Sequence, residues 1–292
     1  MQNFSLHTHT IGFDGHNTEE EMLNTASEKG LTTIGFSNHF IVYPTIKEAK
    51  MYQYALKGGY DTIYGSSFVE VINRFKPHYA KIDELKEKTN IKILKGMEVD
   101  FFSSQEWWDG FQAAIQILKP DYLIGSAHFI EYQNSLYNVH DLKNSSHQEQ
   151  QKLLHQYWQN ERNAASSGLF DFMAHIDLPK KVGLGLEETW IEEEQNTIAT
   201  IKKNNVKVEL NTSFFKFKEE PYPSPRIMKL LAQYDIPVLI SDDAHNTKRL
   251  TEHFELTEQI ARNHGINNFW KPQRQQPPNQ ININNFRFQS EK

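Results

Sequence analysis

Short apolar runs alternate along the chain with longer stretches in which apolar residues recur every three or four positions. Runs at 4–6, 31–36, 91–97, 122–127, 170–174, 206–210 and 237–240 are mostly β-branched or aromatic and are bounded by Gly, Asn, Asp or Pro. That pattern predicts strands. Thr18, followed by Glu19, Glu20 and Glu21, reads as a helix N-cap with a Glu at the third helical position, and Met22, Leu23 and Ala26 form the apolar face behind it. The same spacing predicts helices over 66–87, 106–118, 147–166, 187–203, 224–233 and 251–263. Successive βα units favour a parallel sheet, and their unbroken repetition favours a closed barrel over an open doubly wound sheet. No Gly-rich dinucleotide or phosphate loop follows the first strand, which also counts against the open sheet.

Neither an internal repeat nor an interdomain linker interrupts this order, so residues 1–292 read as one domain. Residues 41–65 form a connection rich in tyrosine (Tyr43, Tyr52, Tyr54, Tyr60, Tyr64), longer than an ordinary loop. Residues 271–292, rich in Gln, Asn and Pro, read as a C-terminal extension packed on the barrel. Ile281/Ile283 and Phe286/Phe288 suggest a short strand within it.

Composition narrows the function classes. The net charge of −6 argues against a bulk nucleic-acid binder, which carries a basic face. No uncharged apolar run approaches the ~18 residues of a membrane span, and the first residues lack the basic-then-apolar pattern of a secretory signal. Zero cysteines exclude disulfides and thiolate chemistry and fit a cytoplasmic enzyme.

The 13 histidines are a surplus, and their placement is not random. His7 and His9 follow the first predicted strand, His39 the second, His128 the fourth, His175 the fifth and His245 the last. Glu98 ends the third strand, Asp242 ends the last, and Asp14 sits in the first βα loop. In a barrel these ends converge on one face, the face that carries the chemistry. His7 and His9, two apart on an extended chain, present both rings to one side. Taken alone, a His-x-His pair, a single His39 or His128, or an Asp14-Gly15 turn is unremarkable. Jointly, these imidazoles and carboxylates exceed what one divalent ion needs. Metals about 3.5–4 Å apart suit displacement at phosphorus.

His7-Thr8-His9-Thr10, Asp14-Gly15, Ser37-Asn38-His39, Gly96-Met97-Glu98, Gly125-Ser126-Ala127-His128, Ala174-His175-Ile176-Asp177 and Ser241-Asp242-Asp243-Ala244-His245 together resemble the PHP (polymerase and histidinol phosphatase) family, from about residue 3 to residue 246. The run from Ser167 to Lys180, with Val208–Ser213 and Tyr222–Ser224, resembles its histidinol-phosphatase branch. The resemblance implies a distorted (β/α)7 TIM-like barrel with three divalent ions (Zn, Mn or Fe) that hydrolyses L-histidinol phosphate in histidine biosynthesis. It further implies that His7, His9, Glu98 and Asp242 hold one metal and that Glu98 bridges to a second with His128 and His175. His39 and His245 then hold the third with a first-loop ligand, which is Asp14 or, as a rival, His16.

On that reading a hydroxide bridging the metals attacks phosphorus. Asp242 also accepts a proton, and His245 is a candidate acid for the leaving alkoxide. Lys181, Lys216 and Asn211 are the expected substrate-binding residues, while the Tyr-rich segment and Glu131 are candidates to meet the imidazole and ammonium groups. The expected partner is a small phosphate monoester, with neither nucleic acid nor membrane, and oligomeric state stays open. Two rivals remain: a PHP-type phosphodiesterase or exonuclease, and a non-catalytic metal-stabilised module.

Overall fold

Seven parallel strands, in the spatial order of the chain, form the wall of a barrel: β1 (Phe4–Ser5), β2 (Thr33–Phe36), β5 (Lys92–Asp100), β6 (Tyr122–Ser126), β9 (Phe172–Met173), β10 (Lys207–Asn211) and β11 (Val238–Ser241). This architecture comes from a computed structural model, which describes residues 2–272. Each predicted strand is present: those at 4–6, 31–36, 122–127 and 170–174 are shorter than expected, the one at 91–97 runs on to Asp100, and the last two are shifted by one residue. The suggested strand at Ile281/Ile283 and Phe286/Phe288, and most of the C-terminal extension, lie outside the described residues.

The ring closes between its first and last strands. Thr8 bridges Ala244 in parallel, with His9 N donating to the Ala244 carbonyl (2.9 Å) and Ala244 N to the His7 carbonyl (3.1 Å). Lower in the same seam the strands separate, and the Gln2 side chain spans the gap, donating to the Ile240 carbonyl (2.6 Å) and accepting from Ile240 N (3.0 Å). These bonds satisfy the Ile240 and Ala244 backbone groups without full strand pairing.

Among the described residues, eight α-helices surround the wall: α1 (Glu19–Glu28), α2 (Lys50–Gly58), α3 (Phe68–Lys86), α4 (Gln105–Leu118), α5 (His147–Ser166), α6 (Ile191–Lys203), α7 (Pro225–Gln233) and α8 (Phe254–Asn263). Thr18 closes a full capping box on α1: its hydroxyl accepts from Glu21 N, and the Glu21 carboxylate accepts from Thr18 N at 2.8 Å. The predicted helix over 187–203 begins later, because Glu188–Trp190 form a 3-10 turn before α6.

The Tyr-rich connection is not a plain loop. It holds β3 (His39–Val42), α2 and β4 (Tyr64–Gly65), and β3 pairs with both β4 and β5. Similarly, β7 (Phe129–Tyr132) and β8 (Ser135–Asn138) form an antiparallel hairpin after β6.

Strand alternation divides the residues into two cores. Ile34, Phe36, Ile93, Met97, Val99, Leu123, Val208, Leu210, Val238 and Ile240 face outward into the layer between strands and helices. Phe4, Leu6, Tyr122, Ile124, Phe172, Ala174 and Leu239 fill the lower barrel, with Trp270 packed beneath them. Tyr122 crosses this interior to donate to the Leu6 carbonyl at 2.6 Å. It passes over Gly35 and Gly96, where a Cβ would stand 2.2 Å from the Tyr122 ring or hydroxyl. The apolar plug ends there. Above it, the inward positions of β5, β10 and β11 become Glu98, Asp100, Glu209, Asn211 and Ser241.

Candidate metal centre

Six histidines and three carboxylates meet at the C-terminal mouth of the barrel. Glu98 stands at the centre of the floor, 1 % exposed. Its Oε2 lies 2.9 Å from His39 Nδ1, 3.2 Å from His7 Nε2 and 3.5 Å from His9 Nε2. Its Oε1 lies 3.1 Å from His175 Nε2 and 3.6 Å from His128 Nε2. The parallel pairing of β3 with β5 sets His39 directly beside Glu98. His39 therefore opens a short strand of its own rather than trailing the second barrel strand.

Asp14 arrives from the first βα loop. Phe13 anchors that loop in the outer core, 5.0 Å from the Phe75 ring, and Gly15 N donates back to the Thr10 carbonyl. A Cβ at Gly15 would lie 2.5 Å from the His9 carbonyl carbon and Thr10 N, so only glycine permits this fold-back. Asp14 Oδ2 then sits 3.1 Å from both His39 Nε2 and His245 Nε2, and Oδ1 lies 3.4 Å from His9 Nδ1. His16 donates its backbone N–H to the His245 carbonyl at 2.7 Å and lines the adjoining cavity, outside the groups of converging ligand atoms.

The structure corrects the expectation for Asp242. Its carboxylate accepts from Ser5 Oγ (2.9 Å) and Thr251 N (2.6 Å), which places it in the seam between β1 and β11. Asp243 takes the place expected of Asp242, with Oδ1 3.1 Å from His9 Nε2, 3.5 Å from His245 Nδ1 and 3.7 Å from His7 Nε2. Both aspartates lie past Ser241, the last residue of β11, and Asp243 has a left-handed backbone (φ 48°), so strand alternation does not choose between them and their contacts do. Asn211 is a second correction. It is fully buried beneath the site, donating to Glu209 Oε1 (2.7 Å) and accepting from Ser213 N (2.8 Å), so it presents no group to the cavity.

Behind the histidines stand partners that sequence reasoning missed. Glu209 accepts from His7 Nδ1 at 2.8 Å, and Asp100 accepts from His128 Nδ1 at 3.0 Å. His245 Nδ1 lies 2.9 Å from the Asp243 carbonyl. Each contact places the proton on Nδ1 and leaves the Nε2 lone pair facing the cluster, the state a metal-ligating histidine requires. Asp100 has the inner parity of Glu98, two positions on, and Glu209 interrupts the apolar run 206–210; both are signals of alternation. His78 had no such signal. From α3 it pairs with Glu19 (2.6 Å) and Asn38 (3.0 Å), and Asn38 in turn accepts from Thr10 N (2.8 Å), bracing the segments that carry His9 and His39.

The electrostatics suit a cation. Burial opposes protonation of His7, yet Glu209, Glu98 and Asp243 outweigh it and raise its pKa well above normal; Asp14 and Glu98 do the same for His39. Burial pushes the Asp14, Glu98 and Asp243 carboxyls up, but the surrounding imidazoles hold all three well below the usual carboxylate range. His7 Nε2, both ring nitrogens of His9, His39 Nδ1, Asp14 Oδ1 and Glu98 Oε2 are buried without a hydrogen-bond partner. Buried polar atoms are rarely left so. Within each of three groups, His9/Asp14/His39/His245, His7/His9/Asp243 and His39/Glu98/His128, one ligand atom per residue lies within 4.8 Å of the others. A nitrogen- and oxygen-donor set of this kind fits Zn²⁺ or a similar divalent ion.

Beside the cluster opens a cavity of about 310 Å³ whose lining includes Lys181, Ser213, Lys216, Phe217 and Tyr222. Lys181 and Lys216, named from the sequence, both line this cavity. The neighbouring Lys180 is buried instead, donating to the Pro221 carbonyl at 2.7 Å. Glu131 lies on β7 and lines a different depression with Phe102 and Asn160, away from this cavity.

The PHP domain model matches residues 4–213. A Deinococcus radiodurans protein named probable histidinol-phosphatase is 24 % identical over 249 residues, covering 82 % of this chain and 84 % of its own. The crystal structure of a candidate histidinol phosphatase from Listeria monocytogenes superposes with a TM-score of 0.66 at 19 % identity, covering 87 % of this chain and 99 % of its own. That of a histidinol phosphate phosphatase from Lactococcus lactis, complexed with zinc, L-histidinol and phosphate, gives 0.65 at 15 % identity, with 91 % and 95 % covered. With the family model spanning most of the chain, and its strands, histidines and carboxylates meeting at one barrel mouth, the protein belongs to the PHP domain family.

Proposed function

We propose that the mouth of the barrel holds three divalent ions and hydrolyses a small phosphate monoester, with L-histidinol phosphate as the substrate. The observation that carries this reading is the set of buried, unpartnered nitrogen and oxygen atoms at the mouth, next to a cavity bearing two lysines. His7, His9 and Asp243 would hold one ion. Asp14, His39 and His245 would hold a second, and Glu98, His128 and His175 a third. Such ions supply Lewis acidity toward phosphoryl oxygens and activate water near neutral pH.

The chain's own residues divide the remaining work. Lys181 and Lys216 face the cavity as ammonium groups for a phosphate dianion. Burial lowers the Lys181 pKa and the Lys216 charge adds to this, against Asp243 and Glu98, so an incoming dianion restores the balance around it. Both nitrogens of His245 are engaged, Nδ1 at the Asp243 carbonyl and Nε2 at Asp14, which supports ligation rather than proton delivery to the leaving group. The cavity volume suits a small molecule, and the named relatives point to histidinol phosphate.

A substrate panel tests the reading: L-histidinol phosphate, p-nitrophenyl phosphate, a simple phosphodiester and single-stranded DNA, with metal-loaded protein. The expected kcat/KM for histidinol phosphate exceeds the others by about 10⁴-fold, the scale of a site built to pair with substrate polar groups. Preference for the diester or DNA would transfer the protein to the nuclease reading. Absence of all turnover would leave the metal-stabilised module.

A further inference from the structure

Glu209 has four donors on its two oxygens and no exposed surface. Oε2 accepts from His7 Nδ1 (2.8 Å) and Ser241 Oγ (2.6 Å); Oε1 accepts from His175 N (2.9 Å) and Asn211 Nδ2 (2.7 Å). These donors come from four neighbouring wall segments: the extension of β1, the end of β9, β10 and β11. Glu209 belongs to none of the groups that converge as ligands, and its oxygens have no lone pair directed at the cluster.

From this arrangement we infer that Glu209 is a positioning residue of the metal centre: it fixes the Nδ1-protonated tautomer of His7, so that Nε2 ligates, and pins the backbone that carries His175. The inference rests on the metal reading above. An ionised carboxylate can only accept, so the hydrogen of the His7 contact must sit on Nδ1. The remaining positions of Glu209 are filled by the His175 backbone N–H, the Asn211 amide and the Ser241 hydroxyl, the surroundings of a group that only accepts. A glutamine would keep an oxygen for His175 N and Asn211, and the Ser241 hydroxyl would turn to accept. Its amide N–H₂, however, would face His7 Nδ1 and force the proton onto Nε2, where it blocks ligation. The substitution therefore separates holding the wall together from setting the tautomer.

The test is Zn²⁺ affinity, measured by competition with a chromophoric chelator, for the parent, Glu209→Gln, His7→Ala and the double variant. Glu209→Gln is expected to weaken Zn²⁺ binding by about 10–100-fold, with the thermal midpoint of the metal-free protein within a few degrees of the parent. In the His7→Ala background it should add no further loss. Parent-like affinity in Glu209→Gln, or an equal loss in the His7→Ala background, would overturn the inference. Long-range ¹⁵N NMR of the Zn²⁺-loaded parent checks it without any variant: the His7 hydrogen is expected on Nδ1, and a hydrogen on Nε2 would refute it. A parent that takes up no Zn²⁺ would overturn the metal reading itself, and this inference with it.

Discussion

At the scale of single residues, the account turns on which carboxylates reach the histidines. Asp242 and Asp243 are neighbours in the sequence but face opposite ways, one into the strand seam and the other into the mouth. Burial pushes the Asp242 carboxyl up to about 7 against its bonds from Thr251 N and Ser5, which makes Asn a close mimic there. Asp243→Ala should lose a metal equivalent and more than about a hundredfold in turnover, beyond the upper range for outer partners; Asp242→Asn should keep the metal count. Likewise Asp14→Ala should lose a metal, and His16→Ala should not. Metal analysis of the four purified variants checks these outcomes, and a reversal within either pair would exchange the roles. Motif matching pointed to Asp242, although its neighbour Asp243 satisfies the same pattern. Strand parity does not resolve the choice, because both residues lie past the end of β11 and Asp243 has a positive φ; only the folded contacts separate them.

Among the elements, the wall strands were legible because each is a short run dominated by apolar, mostly β-branched or aromatic residues between turn residues. The pieces that missed detection are short or do not alternate. β4 is two residues long, β3 continues directly from the Ser37-Asn38 turn, and the hairpin of β7 and β8 carries exposed and half-buried residues. α5 was legible to the residue, yet it hides a group that the pattern did not flag. Glu161 is buried against Tyr157 with neither carboxylate oxygen in a defined hydrogen bond. Burial raises its pKa well above normal, and the Asp177 and Asp100 charges add to this against Tyr157. Because the folded value exceeds the unfolded one, the fold favours the neutral acid, and the stability cost of ionisation grows as pH rises from the ordinary Glu range toward the raised value. The melting temperature of Glu161→Gln should therefore match the parent near pH 4.5 and exceed it increasingly toward pH 8. A gap that stays constant or shrinks with pH would show that Glu161 is ionised in the fold.

For the whole molecule, a closed barrel turns a list of distant residues into one site. His7 and Asp243 are far apart in sequence, yet the bridge between Thr8 and Ala244 joins their strands at the mouth. The lower half of the barrel is an apolar plug centred on Tyr122, so polar inward positions collect above it, and the ligands converge there because no other inward place remains. The measurement that tests this most directly is L-histidinol phosphate turnover by metal-free protein titrated with Zn²⁺. Activity should be absent at the start and should rise to a plateau near three equivalents of bound metal. Full turnover in rigorously metal-free protein would contradict the account.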